Sequence, residues 1–179
     1  MGRGTGQNRP RVGHHRPGAG RAGHLRVLRL DRTASIVNIR LATLDDIEAL
    51  VSLRIQLLEA DDDRYEGALR AWLRTHLADG SFLAWVAEDA GAVVSASGLT
   101  VLDRPPYPGN AAGLDGYVTN MYTLPAYRRR GLARQLLDVL IAHTHQVGVK
   151  RLFLEASREG QPLYEEFGFQ LTRGMELVL

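Results

Sequence analysis

The sequence predicts an α/β fold in which a mixed, twisted and largely antiparallel sheet is flanked by helices. Short runs of β-branched and aromatic residues alternate with longer segments whose apolar residues recur at a spacing of three and four. The strands at 82–87 and 92–100 are joined by a short loop, 88–91, which predicts an antiparallel hairpin. Later, a helical segment separates the strands at 117–123 and 151–156, which predicts a right-handed parallel crossover.

Length and composition predict one domain preceded by a basic extension. The chain has 179 residues, 45% of them apolar, which suffices for one complete core. Residues 1–35 contain eight arginines and one acid, a formal charge of +7; because the whole chain has +2, residues 36–179 have −5. We therefore expect a disordered extension over 1–35, or residues upstream of the true start, followed by an acidic domain over 36–179.

The basic extension has further interpretations. An arginine-rich segment can act as an arm that binds nucleic acid or another acidic surface. An organelle-targeting peptide is disfavoured because residues 1–35 show no amphipathic helix, and they also lack the apolar core of a secretory signal.

The sequence lacks cysteine and lacks a long apolar run, and both absences exclude classes of protein. The sequence has no cysteine, which excludes disulfides, thiolate metal sites and cysteine nucleophiles and agrees with a cytoplasmic location. No apolar run approaches the ~18 residues that a membrane-spanning helix needs. The sequence therefore predicts a cytoplasmic protein without a membrane partner.

The first half of the domain predicts one strand followed by two amphipathic helices. The alternating run 36–41 is the strand. Thr43 followed by Asp46 is typical of a helix start, because an acid three residues after the cap accepts the backbone N–H of the cap. The second helix ends at the Asp79-Gly80 stop. The apolar stripes of the two helices are Ile47, Leu50, Val51, Ile55 and Leu58, then Tyr65, Ala68, Leu69, Trp72, Leu73, His76 and Leu77.

The most informative stretch is a strand that leads through an arginine-rich turn into a helix. Pro125 ends the strand at 117–123, and a helical pattern begins at Gly131, directly after Arg128-Arg129-Arg130. Alternation in the strand and a spacing of three and four in the helix give each element one buried face. The predicted buried face of this helix is Ala133, Leu136, Leu137, Leu140, Ile141 and Thr144.

Such a turn favours phosphate as its ligand. The first backbone N–H groups of a helix have no internal partner and lie at the positive end of the helix dipole. Gly131 has no Cβ and lets the backbone approach a ligand closely, while Arg128, Arg129, Arg130 and Arg134 add positive charge. The sequence therefore predicts a diphosphate site at the start of this helix.

The motif Arg128-x-x-Gly131-x-Ala133 resembles the Q/R-x-x-G-x-G/A pyrophosphate signature of the GCN5-related N-acetyltransferase (GNAT) superfamily. The surrounding elements agree, because the motif follows a strand, opens a helix and precedes the strand at 151–156. The segment 160–169 resembles the closing tyrosine helix of the family and its "LYeklGF" ending. The resemblance covers residues 36–179 and implies the GNAT-like acyl-CoA N-acyltransferase fold, with acetyl-CoA as the cosubstrate.

The resemblance also implies which residues contact acetyl-CoA. In this family the strand before the motif is splayed from its neighbour, so that backbone groups face the cofactor, and a β-bulge is one device that frees them. No metal is implied. The implied cofactor-binding residues are Met121, Tyr122 and Thr123 for the pantetheine arm and thioester, Arg128, Arg129, Arg130, Gly131, Leu132, Ala133 and Arg134 for the pyrophosphate, and Ser157.

The implied general acid is Tyr164, which the resemblance places beside the cofactor sulfur. A phenol, with a pKa of ~10, passes a proton to a thiolate, whose thiol pKa is ~8.5, at small cost. The alternative is that Tyr164 only packs its helix against the sheet. The general base stays open, because Tyr117 occupies the position of the glutamate found in histone-acetylating members. Asp115 and Glu155 are nearby, and Asn120 is a catalytic candidate that could orient water or substrate.

The acceptor amine is expected across the splay, between the first two helices and the loop 103–115. Tyr107, Asp115 and Asn120 are candidate contacts there. The run Asp61-Asp62-Asp63 could attract a cationic amine, although a solvated acidic turn is the simpler explanation.

Other motifs favour no further chemistry. His143 and His145 are two residues apart on a helix, whereas metal-binding pairs need a spacing of four. His76 lies on an apolar stripe, as partly buried structural histidines do. The sequence lacks the glycine-rich motifs of nucleotide hydrolases and dinucleotide-binding proteins, and Ser157 has no nucleophile elbow, which argues against a serine hydrolase.

The sequence therefore predicts an acetyl-CoA-dependent N-acetyltransferase that acts on a primary amine of a small molecule or peptide by direct transfer in a ternary complex. Two alternatives stay open: an acyl-CoA-binding regulatory module without catalysis, and a nucleic-acid-binding protein acting through residues 1–35. The acidic domain disfavours the second, so no nucleic-acid partner is expected. The oligomeric state is not determined, with a homodimer as one candidate.

Overall fold

The structure is a computed structural model that describes residues 37–179; the predicted extension over 1–35 lies outside them. Two short 3₁₀ turns, Leu44–Asp46 and Pro125–Tyr127, precede helices. The strands are β1 (Asn38–Leu41), β2 (Phe82–Asp89), β3 (Ala92–Asp103), β4 (Leu114–Thr123) and β5 (Arg151–Phe153). The helices are α1 (Ile47–Leu58), α2 (Asp63–Asp79), α3 (Leu132–Gln146) and α4 (Gln161–Glu166).

The five strands form one mixed sheet in the order in which they occur along the chain. β1, β2, β3 and β4 pair antiparallel with their neighbours, and β4 pairs with β5 in parallel. The helix α3 connects the two parallel strands. The predicted mixed, largely antiparallel sheet flanked by helices is therefore confirmed. Among residues 37–179, no helix is long and apolar enough to cross a bilayer.

The sheet separates two hydrophobic cores. On β2, Phe82, Ala84 and Val86 belong to the core that includes α1 and α2, whereas Trp85 and Ala87 belong to the core that includes α3. Successive side chains of a strand point to opposite faces, so α3 and the α1–α2 pair cover opposite faces of the sheet. Full burial of one leucine stabilises the fold by about 1.5–3 kcal/mol. The fully buried leucines of the two cores include Leu73 on α2 and Leu136 and Leu140 on α3.

An ion-pair network joins β1, β2 and the start of α1. The Asp46 carboxylate accepts the backbone N–H of Thr43 at 2.8 Å, which is the predicted cap interaction. Arg40 donates to both oxygens of Asp46, at 2.7 and 2.8 Å, and to Glu88 at 2.7 Å. The hydrogen bond from Arg40 lowers the pKa of Asp46 despite its burial, and the same contacts raise the pKa of Arg40. The predicted cap is thus also the anchor of the first strand.

Several predicted boundaries differ from the structure, and one predicted strand is absent. The helix α3 begins at Leu132, one residue after the predicted start, because Gly131 is its cap. The strand β5 ends at Phe153 rather than at 156. The alternation of Met175, Leu177 and Leu179 in the sequence predicts a terminal strand, but no strand forms there, and all three side chains are exposed. Alternation predicts only which side chains would share a face; a strand also needs a ladder partner, and residues 170–179 pair with no strand of the described sheet.

Replacing Asp46 with asparagine is expected to lower the free energy of unfolding by about 2 kcal/mol near neutral pH, the size of a charge-assisted hydrogen bond. The pKa of Asp46 lies below its ordinary value of 3.8 in the folded state. Its stabilisation is therefore present above that value and is lost as the pH falls through the folded-state pKa. Urea unfolding of both proteins across this range measures the difference, which shrinks in acid. The control is Asp45→Asn, at an exposed neighbouring position; an equal loss there would contradict the assignment.

Candidate active site

The strands β4 and β5 separate after a short common ladder. Their parallel pairing ends where Tyr117 meets Phe153, because β5 ends at that residue. β4 continues to Thr123, so residues 118–123 have no ladder partner on the β5 side within the described sheet. The splay implied by the resemblance is therefore present as a gap between the carboxyl ends of the two strands.

A β-bulge distorts β4 at this gap. Thr119 pairs with Gly98 and Tyr122 with Ala96, so that two residues of β4, Asn120 and Met121, face one residue of β3. Asn120 adopts a φ of +56°, a left-handed conformation that asparagine tolerates better than most residues. Its side-chain oxygen accepts a hydrogen bond from Nη1 of Arg54 on α1. Contact with α1 thus holds the bulge in place.

Two carbonyl groups beyond the bulge already accept hydrogen bonds. The Tyr122 carbonyl accepts from the Ser95 hydroxyl at 2.8 Å, and the Thr123 carbonyl accepts from Nε of Arg128 at 3.1 Å. Arg128 also lies over the Tyr122 ring, 5.4 Å from its centroid. These contacts fix the end of β4 relative to the turn that follows it.

The start of α3 presents backbone donors that no group of the described chain uses. Gly131 caps the helix with a φ of +79°, no side chain caps it, and the first backbone bond runs from Gln135 N–H to the Gly131 carbonyl at 3.1 Å. The N–H groups of Leu132, Ala133 and Arg134 therefore have no backbone acceptor among residues 37–179. The nearest atom to a Cβ added at Gly131 would be Nε2 of Gln135, 3.9 Å away, so the approach to these donors is open. This geometry suits an anion.

The arginines around this helix start are exposed but mostly held by neighbours. Arg130 lies 4.9 Å from the centroid of the Tyr127 ring. Arg134 forms an ion pair with Glu166 on α4 and lies 5.3 Å from the centroid of the Phe167 ring. Arg129 adopts a φ of +59°. Positive charge therefore surrounds the free N–H groups, and Arg134 also ties α4 to the first turn of α3.

The helix α4 places Tyr164 beside the end of β5. Tyr164 is 8% exposed, its ring packs edge-on against Phe169 at 5.7 Å, and burial raises the pKa of its hydroxyl. It lines a cavity of about 590 Å³ together with Phe153 and Leu154. Ser157 lies at the turn before α4, where its hydroxyl accepts the Gly160 N–H at 3.1 Å. Tyr164 thus lies beside the end of β5 and the second half of α3, which contributes Ile141 and Thr144 to the cavity. The hydroxyl of Ser157 has a local structural partner.

A second cavity, of about 460 Å³, lies between α1, α2 and the sheet, on the face opposite α3. Asn120 contributes to its lining, so the cavity reaches the bulged part of β4 from the side of α1 and α2. This is the region in which the acceptor was expected. The lining residues are Arg54, Tyr65, Ala68, Leu69, Trp72, Phe82, Thr100, Tyr117, Thr119 and Asn120.

Two of the three acceptor candidates lie elsewhere. Asp115 is fully buried near the start of β4, where it accepts from Tyr107 at 2.8 Å and pairs with Arg104 and Arg151. Burial alone would raise the pKa of Asp115, but the Tyr107 hydroxyl and the Arg151 guanidinium outweigh it, and the pKa is lowered. Asp115 and Tyr107 therefore organise the loop before β4, away from the bulge at Asn120. The expectation that they contact the acceptor amine is wrong.

Several cavity residues were not singled out from the sequence, Arg54 and Thr119 among them. Arg54 is the clearest omission, because it follows Leu50 by four and Val51 by three and so occupies a position of the α1 apolar stripe. A charged residue on an otherwise apolar helix stripe is the sequence feature that could have identified Arg54 as a functional candidate. Tyr65 and Trp72 were assigned to the α2 stripe and line the cavity, whereas Leu73 from the same stripe is fully buried in the core.

The remaining residues that the sequence analysis considered are either exposed or engaged in local structural contacts. Asp62 accepts the Arg64 N–H at 2.9 Å and thereby caps α2, and its neighbours in the acidic turn are exposed. His76 contacts the Ser81 hydroxyl at 2.6 Å, and His143 packs 5.3 Å from Trp85. Glu155 is exposed just after β5. In the part of the chain that the structure describes, no three potential ligands cluster in a way that would hold a metal ion.

Comparison with known proteins agrees with this architecture. The model of the acetyltransferase (GNAT) family matches residues 47–169. A predicted acetyltransferase from Clostridium acetobutylicum, solved with acetyl-CoA, is 32% identical, with 80% of this chain and 96% of that chain covered and a TM-score of 0.75. A GCN5-related N-acetyltransferase from Ralstonia eutropha JMP134 is 31% identical, with coverages of 80% and 98% and a TM-score of 0.72. The chain belongs to the GNAT family of acetyltransferases, and the family inferred from its motifs is confirmed.

A curated relative is similar over a shorter stretch. The uncharacterized N-acetyltransferase YjgM of Escherichia coli K12 is 34% identical over 89 residues, which are 48% of this chain and 50% of that protein. The matched stretch therefore spans about half the length of that relative.

Replacing Gly98 with alanine is expected to destabilise the wall of the second cavity. A Cβ at this position would lie 2.6 Å from Cε2 of the buried Phe82 ring and 3.3 Å from the Thr119 carbonyl oxygen. Overpacking of this kind costs about 1–3 kcal/mol of unfolding free energy, measurable by urea denaturation. The matched control is Gly67→Ala in α2, where no atom lies within 4 Å and where alanine is expected to stabilise the helix. Equal effects of the two substitutions would contradict this prediction.

Proposed function

We propose that this protein transfers an acetyl group from acetyl-CoA to a primary amine of a small molecule or peptide. The observations that support this most directly are the gap between β4 and β5, the free N–H groups at the start of α3, and the buried Tyr164 on α4, a helix that the Arg134–Glu166 ion pair ties to that start. The acceptor cavity lies on the other side of the bulged strand. The relative from Clostridium acetobutylicum, solved with acetyl-CoA, adds support for the cosubstrate.

The reaction is a direct transfer within a ternary complex. The amine nitrogen forms a bond to the acetyl carbon, the carbon–sulfur bond breaks, and its electron pair leaves with the sulfur. The nitrogen loses one proton to solvent, and the departing thiolate takes one proton, so that the products are an N-acetylated amine and a free thiol. No covalent intermediate with the protein is needed, which suits a sequence without cysteine.

The start of α3 is the proposed diphosphate site. The N–H groups of Leu132, Ala133 and Arg134 would donate to phosphate oxygens, and Gly131 leaves room for them to do so. Arg129 and Arg130 add attraction at the exposed rim. Arg128 and Arg134 mainly position other elements of the site. Arg128 holds the end of β4, and Arg134 holds α4.

The bulged part of β4 is the proposed site for the pantetheine arm and the thioester. Met121, Tyr122 and Thr123 have no parallel neighbour on the β5 side, so the backbone N–H groups that point to that side would serve as donors for the charge that develops on the carbonyl oxygen. Asn120 keeps the bulge in shape through Arg54 and thereby positions these groups. Ser157 is retained as a cofactor contact through its place before α4.

Tyr164 is the proposed general acid. Because burial raises the pKa of its hydroxyl, the phenol keeps its proton near neutral pH and can donate it. The departing thiolate is the acceptor of that proton. No carboxylate among residues 37–179 lines the acceptor cavity, so we assign removal of the amine proton to solvent rather than to a side chain.

A cytoplasmic location stays a prediction, and a homodimer stays one candidate for the oligomeric state. The lack of cysteine in the sequence supports the location. The rival without catalysis, an acyl-CoA-binding regulatory module, differs in one measurement, since it would bind acetyl-CoA but release no free thiol with any amine.

Replacing Tyr164 with phenylalanine is expected to lower kcat by about 10²-fold or more, the usual contribution of a positioned acid, because the ring remains while its proton is lost. The affinity for coenzyme A is expected to stay within about twofold, since no phosphate contact changes. Thiol release gives the rate, and calorimetry gives the affinity. An unchanged kcat in a variant that melts at the wild-type temperature would remove Tyr164 from the mechanism.

Replacing Gly131 with alanine is expected to weaken coenzyme A binding by about tenfold, the effect of losing one charge-assisted hydrogen bond. A Cβ disfavours the positive φ that aims the helix start. Gly148→Ala is the matched control, because Gly148 also has a positive φ, +81°, but follows the other end of α3. Calorimetry with coenzyme A compares the two. Equal weakening in both variants would assign the effect to the stability of α3 and not to the site.

A further inference from the structure

We propose that the acceptor of this enzyme is an amine that also has a carboxylate and a large apolar or aromatic side chain, as in an aromatic amino acid. The proposal rests on the proposed function and specifies its acceptor. Its basis is the second cavity, in which one uncompensated guanidinium, that of Arg54, lies among aromatic walls. The transfer is the one described above, with the amino nitrogen of this acceptor forming the new bond to the acetyl carbon.

The charge of Arg54 has no acidic partner within residues 37–179. Arg40, Arg70, Arg104, Arg134 and Arg151 all pair with carboxylates in that range, but Arg54 does not. Its hydrogen-bond partners in the described part of the chain are all neutral, and no Asp or Glu of that part lines the cavity. A partly buried cation without a counter-ion favours a ligand that brings a negative charge.

The donors that remain free suit a carboxylate. Nε of Arg54 donates to the Tyr65 hydroxyl at 2.9 Å, and Nη1 donates to Asn120 and to the Thr119 hydroxyl. Nη2 makes no hydrogen bond within the described residues, so its two N–H groups are available. The Tyr65 hydroxyl accepts from Nε and keeps its own proton to donate. One carboxylate oxygen at Nη2 and the other at Tyr65 would satisfy both groups.

The rest of the cavity suits an apolar or aromatic body. Four aromatic side chains line it: Tyr65, Trp72, Phe82 and Tyr117. Trp72 and Phe82 pack edge-on at 5.0 Å, and Tyr117 stacks on Phe153 at 5.1 Å, so these walls are held in place. A volume of about 460 Å³ lies in the range of small-molecule sites and accommodates a large amino acid.

The position of Arg54 also orients the acceptor. Its guanidinium contacts Thr119 and Asn120, the residues at which β4 bulges beside the gap. A carboxylate held at Arg54 therefore keeps the adjacent amine close to the strand that is proposed to hold the thioester. A cationic acceptor such as a polyamine would instead meet a positive charge at this place. The acidic turn at Asp61-Asp62-Asp63 does not line the cavity.

The test compares acceptors that differ in one feature each, using the full chain, acetyl-CoA, thiol release and product mass. Phenylalanine is compared with phenylalaninamide, which keeps the ring and the amine but has no carboxylate. Alanine replaces the ring by a methyl group, and spermidine represents a cationic acceptor. We expect kcat/KM for phenylalanine to exceed that for each of the other three by about tenfold or more, as expected for a charge-assisted contact or a filled aromatic site.

Three variants connect any preference to the cavity. Arg54→Gln removes the charge and is expected to bring the ratio of phenylalanine to phenylalaninamide close to one. Tyr65→Phe removes one donor while keeping the ring, and it is expected to lower the same ratio by about tenfold. Arg70→Gln is the matched control on α2, because Arg70 pairs with Glu48 outside the cavity, and it is expected to keep the ratio. Thermal melting checks that each variant is folded; if Arg54→Gln does not fold, Tyr65→Phe decides.

The outcomes separate this proposal from the proposed function. Transfer to phenylalaninamide, alanine or spermidine at least as fast as to phenylalanine overturns the acceptor class and leaves the acetyltransferase activity in place. A preference that survives in both Arg54→Gln and Tyr65→Phe also overturns it. If none of these amines is acetylated, the acceptor class is wrong, and a wider amine panel then decides whether the acetyltransferase activity fails as well.

Discussion

The early end of the ladder between β4 and β5 is the constraint on which the rest of the site depends. Three residue pairs join the strands, and beyond Tyr117 the backbone of β4 has no parallel partner in the described sheet. Backbone groups that lack partners are costly when buried, so a fold that leaves them free needs another use for them. The start of α3, with its free N–H groups, follows β4 through a short turn, and the Arg134–Glu166 ion pair ties α4 to it, so the proposed use is binding of an extended cosubstrate.

The bulge in β4 connects this gap to the cavity on the other side of the sheet. Asn120 adopts a left-handed conformation, and its side chain is held by Arg54 from α1. The same arginine reaches Tyr65 on α2 and lines the cavity. One side chain therefore couples the shape of the strand to the charge of the proposed acceptor site. A substitution at Arg54 would alter both the bulge in β4 and the charge of the cavity.

The distribution of acids explains why positive charge remains where the ligands are proposed to bind. Asp46 and Glu88 are engaged by Arg40, and Asp115 is engaged by Arg151 and Arg104. The residues 36–179 are acidic overall, with a formal charge of −5 beside the +7 of residues 1–35. Even so, among the described residues the first turn of α3 contains no acid and the lining of the second cavity contains no carboxylate. Glu166 on α4, beside the start of α3, pairs with Arg134.

The sequence by itself determined the elements whose signals are local. Apolar spacing located α1, α2 and α3, and Thr43, Asp46 and Gly131 marked helix starts, because capping and dipole effects act within one turn. Only the tertiary structure decided matters that depend on residues distant in the chain. It placed Asp115 in an ion-pair cluster, left 170–179 without a ladder, and turned Arg54 and Tyr65 toward a common cavity. Spacing along a helix or strand tells which residues share a face, but not which other element will cover that face.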